Sequence, residues 1–372
     1  MSGLYIHIPF CERKCFYCDF YSTTNLSLSQ SFFEALSKEI LLYLEKFKSK
    51  DIETIYFGGG TPSIIKPNYI EHILNDISRH YSINSQCEIT IECNPNSVDK
   101  EKLNFYKNIG VNRISLGVQS FNDSELLFLQ RLHNATDARN SIELVYGLFD
   151  NLSVDLIYAI PNSNIETVRN NLKELLAFKP KHISAYGLIY ESNTRLTKAN
   201  INGEFNRIDE ELNAEMYQLV MSYLQNNGYI HYEVSNYCLP NFESKHNSNY
   251  WNHTEYIGFG PSAHSFINNK RFSNYYDIQK YIDSLRSNIL PIEFEEIITD
   301  DILFEEYIFL SLRNRGIDLK KINKRFEIDF LNNKKNIINL LLNDGYLFIE
   351  DNFIKLTDKG FLICDEICSK LF

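Results

Sequence analysis

Short β-rich runs alternate with helical patterns through the first half of the chain. Strand candidates are "LYIHI" (4–8), "TIYF" (54–57), "EITIE" (88–92), "RISLGV" (113–118), "SVDLIYAI" (153–160) and "HISAYGLI" (182–189). Between the first two, Phe32, Leu36, Ile40, Tyr43/Leu44 and Phe47 recur at helical spacing. Pro67 opens a second helix with Ile70, Ile73/Leu74, Ile77 and Tyr81 on one face. Strand then helix, repeated six times, calls for a parallel sheet with crossover helices. Several strands read as apolar nearly throughout, as expected for strands covered on both faces. Six units fall short of the eight that close a full barrel, so the expectation is an open, partial (β/α)6 barrel. Function then belongs at the C-terminal ends of the strands.

After "NILPIEFEEIITDD" (288–301) the pattern changes. A helical pattern resumes at Leu303, and "KKNIINLLLNDGYLFIEDNFIKLTDKG" (334–360) reads as a helix, a turn at Gly345 and a hairpin around "DN". A last helix follows Gly360. The expected organisation is an α/β barrel unit over 1–290 and a mostly helical, winged-helix-like unit over 291–372.

Composition narrows the classes. The 372 residues are 44% hydrophobic and 23% charged, ordinary for a protein with a buried core. Winged helices often bind DNA, but the net charge is −11, and Thr299–Phe372 carries eleven Lys and Arg against thirteen Asp and Glu. A phosphate-reading surface needs the opposite sign, so no nucleic-acid partner is expected. The start "MSGLYIHIPFC" lacks a basic, uninterrupted apolar leader, and no run is long enough for a membrane span. A cytoplasmic location is the expectation. There, eight cysteines are thiols or metal ligands rather than a disulfide framework.

Three of them crowd one stretch. In "HIPFCERKCFYCDFYS" (7–22), Cys11, Cys15 and Cys18 follow C-x₃-C-x₂-C directly after the first strand. A structural zinc site would need a fourth ligand, for which His7 is near. The short loop wraps a larger object more naturally: three thiolates on a [4Fe–4S] cube leave one iron open to a small ligand. Cys87, Cys93, Cys238, Cys364 and Cys368 show no ligand pattern and read as buried small residues.

The cysteine motif, with Tyr17 before its last cysteine, resembles that of the radical S-adenosylmethionine (SAM) superfamily. Further strand-end motifs resemble it too. "FGGGTPS" (57–63) could alone be a turn; after a strand it is similar to the loop holding the SAM amino group, through Gly59, Gly60 and Thr61. Glu92 in "IECNP", Gln119 in "LGVQSF" and Arg131 in "QRLHN" match SAM-contacting positions, though an arginine on a helix is ordinarily solvated. Asp155 is an acid in an apolar strand, costly to bury unless bonded, and matches a ribose-hydroxyl acceptor. Tyr5, on the first strand, completes the set. The resemblance implies a [4Fe–4S] cluster on the three cysteines and SAM across the strand ends.

Within the superfamily the chain resembles the branch that holds an oxygen-independent coproporphyrinogen III oxidase and a haem chaperone. The oxidase carries an extension before its first barrel strand and a cysteine two residues after the third ligand. This chain starts at the strand and has Phe20 there. "HNSNYW" (246–251) presents His246, Asn247, Tyr250 and Trp251, similar to the haem-associated signature of the chaperone branch. Imidazole ligates haem iron and aromatic faces suit a porphyrin, while a polar loop around a packed Trp is the plain alternative. His253 and His264 are further candidates for the iron; His264 stands where the oxidase has an apolar residue beside a second SAM. The implied function is haem binding and delivery to apo-haemoproteins, membrane respiratory proteins among them, with a homodimer left open. No residue is assigned a catalytic role, and porphyrinogen decarboxylation is the alternative activity.

Overall fold

The computed structural model describes residues 2–43 and 51–372. Leu44 and Phe47 of the first helical pattern lie outside the described residues. The helix itself, Ser29–Leu42, buries Phe32, Leu36 and Ile40 as the spacing predicts. The helix Pro67–His80 has Pro67 in its first turn and buries Ile70, Ile73, Leu74 and Ile77.

Six strands run parallel and adjacent in chain order: β1 (Ser2–Ile8), β2 (Ile52–Gly59), β3 (Ile83–Cys93), β4 (Arg113–Gln119), β5 (Asn151–Tyr158) and β6 (His182–Gly187). The antiparallel pair β7 (Ile230–Glu233) and β8 (Asn236–Cys238) extends the β6 side. On the other side β9 (Tyr256–Phe259) pairs parallel to β1 and is followed by β10 (His264–Ile267), β11 (Lys270–Asn274) and β12 (Ile292–Ile297), all antiparallel. The twelve-stranded sheet has free ends at β12 and β7, so the barrel is open. The parallel strand β9 adds to the six anticipated; its four residues "YIGF" are too short to announce themselves.

The strands are not apolar on both faces. Outward positions such as Leu4, Ile6, Ile55, Phe57, Ile91, Ile114, Leu116, Val154 and Ile183 are fully buried against the helices. The alternating inward positions are polar: Thr54 and Tyr56, Thr90 and Glu92, Arg113 and Ser115, Ser153 and Asp155, His182 and Ser184. A period of two with apolar-out and polar-in is the pattern of a barrel whose interior is a site rather than a core.

Residues 300–371 build a second apolar cluster around Ile308, Leu312, Ile338, Ile354 and Ile367. Its small sheet orders β13 (Ile317–Asp318), β15 (Phe353–Leu356) and β14 (Leu347–Glu350). The β14–β15 turn, Asp351-Asn352, has φ of 49° and 68°, the left-handed pair that a two-residue hairpin demands.

Glu39 fixes the helix Ser29–Leu42 to the β9–β11 region. Its carboxylate is fully buried and accepts from the Tyr281 hydroxyl (2.6 Å), Asn274 Nδ2 (2.6 Å) and the Gly260 N–H (2.9 Å). Burial pushes its pKa from 4.5 to about 7 against those donors. The folded state thus holds the proton more tightly than the unfolded chain. That contribution is full below the unfolded value and is lost as pH rises through about 7. Relative to Glu39→Gln, the wild type should lose about 2–3 kcal/mol of stability between pH 5 and 8, read from urea midpoints.

Candidate functional site

The loop after β1 is closed at its neck by Cys11 N–H to Thr23 O (3.0 Å) and Thr23 N–H to Pro9 O (2.7 Å). It docks on the segment after β4. Arg13 donates to Gln130 O (2.7 Å) and Arg131 O (3.0 Å), and Phe16 N–H to Leu129 O (3.3 Å). Cys11, Cys15 and Cys18 all line one cavity of about 1230 Å³ that occupies the strand C-terminal ends and the barrel interior. That is larger than an ordinary small-molecule pocket, roughly 300–1,000 Å³. Burial and the neighbouring thiols push Cys18 up to about 11, and burial raises Cys11. Metal coordination is what reverses such shifts, because a bound thiolate is deprotonated outright. Among the described residues no group of three or more His, Cys, Asp or Glu side chains is arranged to hold a single metal ion. The three thiols on one cavity wall are the donor set that a multi-iron cluster takes, one thiolate to each iron. His7 does not serve as a fourth zinc ligand. Its ring bonds Tyr5 OH (3.1 Å) and Tyr21 O (2.9 Å), and burial lowers its pKa to about 4.

The strand-end residues are interlocked around the thiols. Arg131 Nη1 donates to Cys15 Sγ (3.3 Å), and Nη2 to Asn94 Oδ1 (2.6 Å) and Gly117 O (2.7 Å). Asn94 in turn donates to Thr61 Oγ1 (3.0 Å), whose hydroxyl reaches Cys11 Sγ (3.6 Å). Arg131 is thus held against the cysteine loop, not solvated on a helix. Asn94 is the hub of this network, yet inside "IECNP" only its place at a strand end distinguishes it from any polar turn residue. Gly59 has φ +108°, and a Cβ there would lie 2.5 Å from the His7 ring; one at Gly60 would lie 2.6 Å from Phe10 O. Only glycine lets this loop pass so close to β1.

Glu92 accepts from Tyr56 OH (2.8 Å) and Gly59 N–H (3.1 Å), and Asp155 from Ser115 Oγ (3.3 Å). Burial raises Glu92 to about 7 and Asp155 to about 6. Each is a desolvated acid whose charged form gains from a cationic or donor ligand. Gln119, at φ +70°, ends β4. It lines the cavity together with Tyr5, Tyr17, Glu92 and Asp155.

The 246–251 segment forms the helix Lys245–Trp251. Glu88 accepts from the N–H groups of Lys245 (3.2 Å) and His246 (3.1 Å), an acid placed at the positive end of the helix. His246 is buried, with Nδ1 bonded to Thr54 Oγ1 (2.8 Å) and Nε2 to Tyr250 OH (2.9 Å), and its ring stacks on Tyr56 at 5.0 Å. Burial drops its pKa to about 3. His246, Asn247 and Tyr250 line the cavity, whereas Trp251 does not. His253 lines it too, with Nε2 tied to Glu306 (2.9 Å). His264, at the start of β10, is exposed along the cavity wall, and its ring makes no hydrogen bond among the described residues. Arg271 and Glu306, joined at 2.6 Å, carry the wall onto the helix Asp300–Leu312.

The family model of the radical SAM superfamily matches residues 5–175, and that of the HemN C-terminal domain matches 298–363. The open barrel with its cysteine loop accordingly defines a radical SAM protein. The heme chaperone HemW of Lactococcus lactis subsp. lactis (strain IL1403) is 34% identical over 374 residues, 99% of this chain and 97% of that protein. The heme chaperone HemW of Bacillus subtilis (strain 168) is 32% identical over 372 residues, 99% and 98% of the two chains. The chain belongs to the HemW family. Among solved structures, coproporphyrinogen III oxidase (HemN) from Escherichia coli superposes with a TM-score of 0.85 at 21% identity, covering 100% of this chain and 89% of that one, a likeness of fold. Among the described residues no helix is long and apolar enough to cross a membrane.

Proposed function

We propose that this protein binds haem and passes it to apo-haemoproteins, on a scaffold that carries one [4Fe–4S] cluster and SAM. The observation that carries this reading is the continuous cavity, with three cysteines at one part of its wall and Tyr250 and His264 at another. Its relatives in the HemW family are named heme chaperones. Cys11, Cys15 and Cys18 would hold the cluster. Gly59, Gly60, Thr61, Glu92, Gln119, Arg131 and Asp155, with Tyr5 and Tyr17, would hold SAM. Such a cluster would supply an electron source and an iron without a protein ligand, open to SAM. The chain's own part is to exclude water, orient Arg131 on Cys15, and present two desolvated acids to a ligand with a cationic amine and hydroxyls.

For haem, His264 is the cavity-exposed imidazole with neither nitrogen hydrogen-bonded among the described residues, whereas the His253 side chain is buried with Nε2 on Glu306. His246 spends both nitrogens inside the protein and fixes the Tyr250 hydroxyl, and Tyr250 offers an aromatic face. The two-unit division with a join near residue 291 belongs to the same proposal. The pairing of β12 with β11 favours setting the join just after Ile297. The test is anaerobic haem titration of cluster-rebuilt protein, with sizing of the loaded protein to read a homodimer. One haem per chain, without loss of carboxylate from coproporphyrinogen III when SAM and reductant are supplied, supports the reading; decarboxylation without haem uptake replaces it with the oxidase.

A further inference from the structure

One charged group in the barrel interior is left without a role. Arg113 opens β4 beside Thr90 of β3, its partner in register, at the opposite end of the strands from Gln119. The residue is 1% exposed, lines the cavity, and has no side-chain hydrogen bond or ion pair among the described residues; its Nε is buried and unsatisfied. Thr90 Oγ1 is buried and unsatisfied as well. The acids of the lumen feel its charge only across a distance. Glu92 sits two residues past Thr90, and Asp155 four residues past Asn151, the partner of Arg113 on β5; both are engaged, by Tyr56, Gly59 and Ser115. His182 is bonded to Ser153 (2.7 Å) and the Tyr232 hydroxyl (2.7 Å), and His246 to Thr54 and Tyr250.

A guanidinium cannot shed its charge, and an unpaired one is costly to bury. It presents planar donors that match a carboxylate. We propose that Arg113, with Thr90, is a carboxylate subsite deep in the barrel that receives one propionate arm of the bound porphyrin. The inference rests on the haem reading and adds to it the polar anchor that would set the orientation of the macrocycle. Arg113, His246, Tyr250 and His264 line one cavity, so this floor and the His264 imidazole open into the same space.

The test compares haem with haem dimethyl ester, which keeps the iron and the macrocycle but has no propionate charge. Full-length, cluster-rebuilt protein would be titrated as wild type, Arg113→Met and Arg113→Lys, with SAM affinity measured in parallel. The wild type should favour haem over the diester by about tenfold or more, the value of a charge-assisted bond. Arg113→Met should bring haem down to the diester level, Arg113→Lys should keep part of the preference, and SAM binding should not change. A wild-type preference near one, or the same preference in Arg113→Met, overturns the inference while leaving haem binding intact. Loss of SAM affinity with the preference retained assigns Arg113 to the SAM carboxylate and also overturns it. If Arg113→Met does not fold, the wild-type ratio and Arg113→Lys decide. If the wild type binds neither compound, the haem reading itself has failed.

Discussion

Changing Cys15 to alanine should strip iron from the reconstituted protein to below about a tenth of the wild-type content and abolish SAM binding with it. Cysteine ligation of a three-thiolate cluster has no redundancy, since binding free energy is shared among few strong bonds. Cys15 also accepts from Arg131 (3.3 Å), so its loss frees the guanidinium that ties the loop to Asn94 and Gly117. Cys87→Ala and Cys238→Ala are the controls. Both thiols are buried, burial pushes each up to about 12, and neither lines the cavity. They should keep their iron. Iron and sulfide analysis with the visible absorption of the cluster reads all three, and retained iron in Cys15→Ala would show that the loop is not the ligand set.

The second large effect separates two histidines. His264→Ala should weaken haem binding by at least about tenfold and change the Soret band, because it removes an imidazole that is exposed to the cavity and otherwise unengaged. His246→Ala should act differently. It deletes bonds to Thr54 and Tyr250 and a ring stacked on Tyr56, so it should cost about 2–4 kcal/mol of stability in denaturant titration. Its effect on haem should be smaller and should not shift the Soret band, since the Tyr250 hydroxyl loses its anchor but the iron keeps its ligand. If His246→Ala rather than His264→Ala moves the Soret band, the helix Lys245–Trp251 must rearrange on binding, and His246 is the ligand.

Much of this site is legible in the order of the amino acids. The C-x₃-C-x₂-C spacing is local, so a loop after a strand brings the thiols to one wall without help from the rest of the chain. The strand-end motifs follow from strand order, because parallel strands deliver all their C-terminal ends to one side. What escapes depends on facing and packing. Ser115 and Ser153 sit in strands that look apolar when read as runs, and only the period of two shows them turned inward. Arg113 reads as the first letter of a strand, and its solitude is a property of six strands together. The histidines of "HNSNYW" and "PSAH" look alike as letters. They differ because the short helix Lys245–Trp251 plugs His246 between β2 and Tyr250, while His264 starts a strand toward the sheet edge with its ring left in the cavity. Trp251 stands out as the single tryptophan, yet it lies off the wall that its neighbours line.

The central claim is that the cavity carries haem as cargo. The direct measurement is anaerobic transfer: cluster-rebuilt protein loaded with haem is mixed with an excess of an apo-globin, and both Soret bands are followed. The account predicts uptake of one haem per chain, then loss of the carrier's Soret band matched by growth of the globin's. Absence of stoichiometric uptake by the wild type, or haem that stays bound when an acceptor is supplied, would contradict it.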